Sequence, residues 1–541
     1  MDSNLRRNCV KEVPNDVPSA HSPLLCPNFG DIGPGCFECQ ETGSLEREAD
    51  EISKKLENIL TKLANARSAT NHSHSTILVK LPNEILSHIF CAAWDAINPS
   101  PPKWPFGYEE PQEEKKMSIA LLLAGVCRKW RAIALSLPRI WSDIHVFIHR
   151  QKGDKALSIL RNIIARSKHA HLTLRLYSEP LDCMDRIIKL QPALSILQTE
   201  SQRWRSLQMC LPYELVRAFF EPNMDLSRVD LLYVHSNEHD YMGLSDPLWK
   251  DKGLRPQRLS LYSPAMRNID LSWDRVTHVV AIDFDTDQVM KVIRSAPLLA
   301  TLELIEMDEV TEVTGIYSRN FVHANLQHLI YYAGDNCTDG STESIFYWNV
   351  FPALKTVDYH TLFKTDDDSF FEHLVRNKPP IQELKLHGSP YDSPYVVRAL
   401  RAIGSTLNRL DFEPYEEFQD NFEYDDIFTR LAEVNSSPPS SDPSDLDVDE
   451  QMFLPRLEYL RFTTGWIFPW ERVPAFFGSP SDPYRRPLKE FIFNTWVDFI
   501  ITKEDLLPLI DLRNAGFVVE SEGATKVIQT SLKFYGLPTS T

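Results

Sequence analysis

Glu383-Leu384-Lys385-Leu386 and Arg409-Leu410-Asp411-Phe412 are two copies of one short pattern, an apolar pair at alternate positions, here with a charged residue between. Upstream the same pattern stands at Thr356-Val357-Asp358-Tyr359, His328-Leu329-Ile330-Tyr331, Thr301-Leu302-Glu303-Leu304 and Arg258-Leu259-Ser260-Leu261. Downstream it returns at Tyr459-Leu460-Arg461-Phe462 and Glu490-Phe491-Ile492-Phe493. The first anchors at 302, 329, 357, 384 and 410 are 27, 28, 27 and 26 residues apart. Several units open on a proline-apolar pair, as at Pro297-Leu298, Pro380-Ile381 and Pro487-Leu488. Side chains alternate across a strand, so each unit supplies a short strand with two inward residues, and the rest of the unit returns as helix or irregular backbone. One such unit cannot bury its own apolar face, so the strands must stack into an α/β solenoid.

The spacing resembles that of leucine-rich repeats, in degenerate form. The Asn or Cys expected three positions after the last leucine is mostly missing: Pro264 follows Leu261 and Met307 follows Leu304 at that distance. Without an asparagine ladder the expected shape is an irregular horseshoe, over residues 146–535. It is interrupted at 414–451 by an acidic, Ser/Pro-rich loop. Glu413 to Glu450 holds thirteen Asp or Glu against the single Arg430. Asp445-Leu446-Asp447-Val448-Asp449 starts like a calcium loop but has Glu450 where glycine is required and Arg456 where a bidentate Glu belongs. The residues alternating outward along the strands predict one concave binding face. Its candidate target-binding residues are Tyr262, Glu303, Tyr332, Asp358, His360, Lys385, His387, Asp411 and Arg461, with Ser260 and Glu413 beside them.

Ahead of the repeats, Leu81-Pro82-Asn83-Glu84-Ile85-Leu86-Ser87-His88-Ile89-Phe90 reads as a helix with Pro82 at an early position, where its missing N–H is harmless. Ile85, Leu86, Ile89 and Phe90 fall on one face at helical spacing. Val126-Cys127-Arg128-Lys129-Trp130-Arg131-Ala132-Ile133-Ala134 repeats that logic, and Leu137-Pro138-Arg139-Ile140-Trp141 follows. In this order the three segments resemble the F-box, especially of the fungal type, over residues 76–145. The chain departs from the compact box by an inserted loop at 91–117, where Pro99, Pro101, Pro102, Pro105 and Pro111 exclude helix. The resemblance implies a small all-α module that docks a Skp-type adaptor, and through it a cullin scaffold. Mapped onto this chain, the adaptor-binding residues are Leu81, Pro82, Ile85, Leu86, Ile89, Phe90, Val126, Cys127 and Trp130.

Residues 1–43 form a Pro-, Gly- and polar-rich leader, expected to be disordered. An amphipathic helix is predicted over 44–70, with Ser44 as N-cap and a heptad seam at Leu45, Ala49, Ile52, Leu56, Ile59 and Leu63 that allows a coiled coil. In the leader, Cys36 and Cys39 are a close pair, but Cys26 and His21 stand apart, so no zinc site is assigned.

The 541 residues are 43% apolar and carry a formal charge of −18, enough core for several domains. An acidic chain without a basic stripe argues against nucleic acid. No run approaches the roughly 20 apolar residues of a membrane span, and the first residues lack the apolar stretch of a secretory signal. Scattered cysteines fit a reducing compartment, cytoplasmic or nuclear. No nucleophile elbow, phosphate loop or zinc-protease motif is present, so neither catalysis nor a cofactor is expected. The resemblance implies the substrate-recognition subunit of an SCF-type ubiquitin ligase; the alternative is an adaptor-bound, non-ligase scaffold or assembly protein that uses the repeats for protein binding.

Overall fold

The computed structural model describes residues 37–74, 80–97, 119–147, 154–177, 185–211, 215–216, 219–220, 224–235, 253–262, 271–307, 320–333, 341–361, 369–388, 393–414, 425–433, 452–465, 468–478, 485–495, 497–522 and 526–538. The chain divides into two compact units, Met1–Leu135 and Ser136–Thr541.

The first unit is helical: α1 Phe37–His74, α2 Asn83–Ile97, α3 Ile119–Val126 and α4 Arg128–Ser136. α1 begins at Phe37, inside the segment expected to be a disordered leader, so Ser44 lies within the helix and is not its cap. The helix absorbs Gly43, an interior glycine that costs about 1 kcal/mol relative to alanine. Residues 1–36, the rest of the predicted leader, lie outside the described residues. α2 is entered from Pro82, whose carbonyl accepts from the Leu86 N–H at 3.2 Å. It runs on to Ile97, through the first part of the expected 91–117 insertion, and the five prolines lie outside the described residues. Phe90 meets the edge of Trp130 at 4.8 Å between centroids, joining α2 to α4. Arg131 Nε donates to the Ala124 carbonyl at 2.9 Å and closes the turn between α3 and α4.

The second unit starts ten residues before the expected boundary, at Ser136. Pro138–Trp141, assigned by sequence to the box, forms a 3-10 turn in the solenoid unit. Its Trp141 is buried with the Arg166 guanidinium 4.7 Å above the ring, and the Ser142 carbonyl already accepts from Thr173 in the next repeat at 2.9 Å.

Fourteen parallel strands form one sheet in strict chain order. They are β1 Asp143–Phe147, β2 Leu172–Tyr177, β3 Trp204–Cys210, β4 Leu231–His235, β5 Arg258–Tyr262, β6 His278–Ile282, β7 Thr301–Met307, β8 His328–Ala333, β9 Thr356–Thr361, β10 Glu383–Gly388, β11 Arg409–Pro414, β12 Tyr459–Thr463, β13 Glu490–Asn494 and β14 Val518–Glu522. Eight were legible as repeat units; β1–β4, β6 and β14 were not. One buried residue per strand runs in register across the whole sheet: Ile144, Leu174, Leu207, Leu232, Leu259, Val279, Leu302, Leu329, Val357, Leu384, Leu410, Leu460, Phe491 and Val519. This is the α/β repeat solenoid that the spacing predicted.

Parallel neighbours need a crossover, and helices such as Thr286–Ser295, Ser369–Asn377 and Ser393–Ile403 supply it. The first opens on a capping box between Asp285 and Gln288 and buries Val289, Met290, Val292 and Ile293 in the core shared with the anchors. The missing asparagine ladder has a backbone substitute at the strand entrances. Gln327 N–H donates to Ala300, Lys355 to Gln327, Gln382 to Lys355, Asn408 to Gln382, Glu458 to Asn408 and Lys489 to Glu458, each at 2.7–2.9 Å. Buried amides are therefore satisfied without a dedicated side chain.

The insertion expected at 414–451 is in part structured. Asp425–Ala432 is a helix that buries Ile427, Phe428 and Leu431 in the core; 415–424 and 434–451 lie outside the described residues. The stretch is acidic along its length, yet Ile427, Phe428 and Leu431 recur at spacings of one and three, enough for a short apolar stripe.

Candidate functional site

In the helical unit the predicted stripe splits. Leu86 is 1% exposed and Phe90 is wholly buried, whereas Ile85 and Ile89 are 45% and 47% exposed. Val126 and Pro82 are also exposed, and Leu81, Cys127 and Trp130 are half-buried. Positions one residue apart on a helix point about 100° apart, so only one of each adjacent pair can face Trp130. Leu121 and Leu122 on α3 are exposed as well, and were not singled out by sequence. The signal was present: on α3 the small Ala120 and Ala124, four apart, are the buried pair, which leaves the bulky neighbours outside.

On the sheet, the residues between and after the anchors face away from the core. One register row reads Asp358, Lys385, Asp411, Arg461 across β9 to β12, alternating in charge strand by strand. The next reads Tyr332, His360, His387, Glu413 across β8 to β11. Seven predicted target-binding residues therefore come together. Tyr262 does not join them: it is buried on β5 beside His235, rings 5.1 Å apart. Glu303, on β7, is in register with the apolar Ile330 and stands outside the charge ladder.

The group is tightly connected. Tyr332 and His360 stack at 3.7 Å, and His360 stacks on His387 at the same separation, 6° from parallel. His360 Nε2 donates to Asp358 Oδ1 at 2.6 Å, and His387 Nδ1 donates to Glu413 Oε2 at 3.0 Å. Lys385 Nζ lies 3.5 Å from Asp358 Oδ2. Burial works to raise the Asp358 carboxyl, but the His360 hydrogen bond and the charges of His360, His387 and Lys385 outweigh it and hold the group below its ordinary value. The hydrogen bond from His387 does the same for Glu413. Burial pushes Asp411 and Glu303 up and His360 down. Beside this cluster lies a depression of about 180 Å³ lined by Glu383, Lys385, Arg409, Asp411, Tyr459 and Arg461. Arg409 covers the Tyr459 ring at 3.9 Å. Arg409, Tyr459 and Glu383 are not among the sequence candidates, which follow an anchor; these three precede one, and the position before an anchor alternates outward too.

Asp358, His360 and His387 present donor atoms within 4.8 Å of one another. Cofacial rings point their in-plane lone pairs in parallel, so they converge on one ion only if a ring turns out of the stack. The arrangement is that of a hydrogen-bonded charge network, suited to polar and charged groups of a partner.

No family model matches the chain, and none of the curated proteins does. A solved structure described as "Crystal structure of TLR13-ssRNA13 complex" is similar over 56% of this chain and 40% of that one, at 12% identity and a TM-score of 0.28. This chain spans less than two thirds of that one, and a likeness of this size carries no argument about function. Among the described residues no helix is long and apolar enough to cross a membrane. By its own strand order and register, the chain comprises a helical unit and an α/β repeat solenoid.

Proposed function

We propose that the chain is the substrate-recognition subunit of a cullin-based, SCF-type ubiquitin ligase. The helical unit docks a Skp-type adaptor, and the outward sheet face binds a protein target. The observation that carries this reading is the split on α2 and α3: Leu86, Phe90, Ala120 and Ala124 fill the inside, while Ile85, Ile89, Leu121, Leu122 and Val126 are left outside. Five large apolar side chains exposed on so small a unit favour a docking surface over a solvated one. On the solenoid, a mixed-charge face with stacked rings suits a protein partner better than nucleic acid, which calls for a basic stripe. The chain itself performs no chemistry in this reading; it raises the local concentration of a target lysine near the conjugating enzyme. It acts in the cytoplasm or nucleus, where that machinery resides.

The test is co-purification of a Skp-type adaptor with the intact chain and with Ile85→Asp/Ile89→Asp, a surface variant that leaves the Phe90–Trp130 contact in place. Adaptor bound to the first and lost from the second supports the reading; no adaptor on the intact chain sinks it. Stabilisation of a bound partner when the box is deleted separates a ligase receptor from a scaffold.

A further inference from the structure

α1 leaves a continuous apolar seam uncovered. Leu45, Ile52, Leu56, Ile59 and Leu63 are between 42% and 60% exposed, and with Ala49 they recur in alternating steps of four and three, the spacing of a coiled-coil seam. An isolated helix with such a seam gains little from its own propensity, and its stability comes from whatever covers the apolar face.

The charges along α1 identify the cover. From Ser44 to Ile52, Glu46, Glu48, Asp50 and Glu51 stand against Arg47, a net of −3. From Ser53 to Arg67, Lys54, Lys55, Lys62 and Arg67 stand against Glu57, a net of +3. The helix is thus complementary to itself when reversed. The residues flanking the seam are more specific. Glu48, Lys55 and Lys62 precede seam residues on one side, and Glu46, Ser53, Leu60 and Arg67 follow them on the other. In a parallel pair the two sides meet each other, which sets Lys62 against Arg67 of the second copy and offers no attractive pair. In an antiparallel pair each side meets itself; with the seam layered as Leu45 on Leu63, Ala49 on Ile59 and Ile52 on Leu56, Glu48 meets Lys62 twice by symmetry, Glu46 meets Leu60, and the single like-charge meeting is Lys55 with its own copy.

We propose that two copies of this chain associate through an antiparallel coiled coil of α1, with Leu45, Ile52, Leu56, Ile59 and Leu63 as its seam and the two symmetric Glu48–Lys62 pairs as its orientation lock. The association is independent of the ligase reading. It would present two helical units and two solenoids together, so a multivalent target is held by avidity.

Sedimentation velocity of the full chain tests this. The expected result is a concentration-dependent species of twice the 62.3 kDa chain mass. Leu56→Asp/Ile59→Asp should return it to monomer without altering thermal unfolding of the solenoid. Lys62→Glu should raise the dimer dissociation constant several-fold, and adding Glu48→Lys in the same chain should restore it. A monomer at every concentration, or a dimer indifferent to Leu56→Asp/Ile59→Asp, overturns the proposal. A seam-dependent dimer whose affinity ignores the charge reversals overturns its antiparallel orientation.

Discussion

His360 and His387 lie face to face on adjacent strands, their ring centroids 3.7 Å apart, with His360 bonded to Asp358 and His387 to Glu413. Burial and the neighbouring His387 hold the His360 imidazole below its ordinary value against the pull of Asp358. A histidine depressed in the fold loses stability as pH falls below about 6.5, where the unfolded chain takes up the proton first. Asp358, depressed too, loses its contribution only at lower pH still, so both act in the same direction. Thermal unfolding should move to lower temperature on acidification from neutrality, with a shallower slope in His360→Phe, which keeps the stack without the titration. Equal slopes in the two proteins would remove His360 as the cause.

His373 makes the same point from the core. It is wholly buried among Phe346 and Phe351, its Nδ1 lies 3.1 Å from the Phe346 carbonyl, and burial depresses its pKa to about 4. The sign is again a loss with acid, setting in below about 6.5 and complete near pH 4, worth roughly 3 kcal/mol at one pKa unit per 1.4 kcal/mol. His373→Leu should flatten the stability profile over that window; denaturant titrations at a series of pH values measure it.

Arg486 is 4% exposed and donates to four backbone carbonyls, those of Leu431, Phe453, Leu454 and Phe476. It ties the Asp425–Ala432 helix, within the acidic insertion, to the turn before β12. Burial lowers its pKa to about 10, so it stays charged at neutral pH. Arg486→Ala strands several buried acceptors and should cost on the order of 3 kcal/mol or more, since each unsatisfied group costs about 1–3 kcal/mol. Calorimetry gives the loss, and limited proteolysis should show early cleavage between 431 and 486. A change below about 1 kcal/mol would mean the carbonyls find other donors.

The split on α2 predicts opposite outcomes for neighbours. Phe90→Ala removes a wholly buried ring packed on Trp130 and should destabilise the helical unit by about 3–5 kcal/mol. Ile89→Ala, on the exposed side, should stay within about 0.5 kcal/mol. Chemical denaturation of the two variants decides between this arrangement and a fully internal stripe.

On the solenoid, Lys385→Glu/Arg461→Glu reverses both cations of the Asp358–Arg461 row without touching an anchor. Target capture should fall at least tenfold while adaptor binding is unchanged, as read by paired pull-downs. Retained capture would move the target surface elsewhere on the chain.

Of the strands seen from sequence, β7 to β11 carry two large anchors at a period of 26–28 residues, whereas β5, β12 and β13 are marked by the alternating apolar pair alone. β6 escaped because its second anchor is Ala281, and Val279 follows Leu259 by only 20 residues. β2 and β3 escaped because Leu174 and Leu207 stand 33 apart, outside the period. For the site, alternation alone placed Asp358, His360, Lys385, His387, Asp411 and Arg461 on one face. That His360 stacks on His387, 27 residues away, follows only from the register between β9 and β10.

Which side of the sheet a strand residue occupies is legible from its position alone, because side-chain direction in a strand has a period of two and needs no knowledge of neighbours. The repeat pattern likewise requires the units to stack, since none can bury its face alone. Which apolar residues stay outside depends instead on how the helices pack. Ile89 and Phe90 are alike in sequence terms, and what separates them is the position of Trp130, carried by a helix forty residues further along the chain. Burial on a helix depends on where the next helix is placed, and that placement is set by packing of the whole unit, which no local period records.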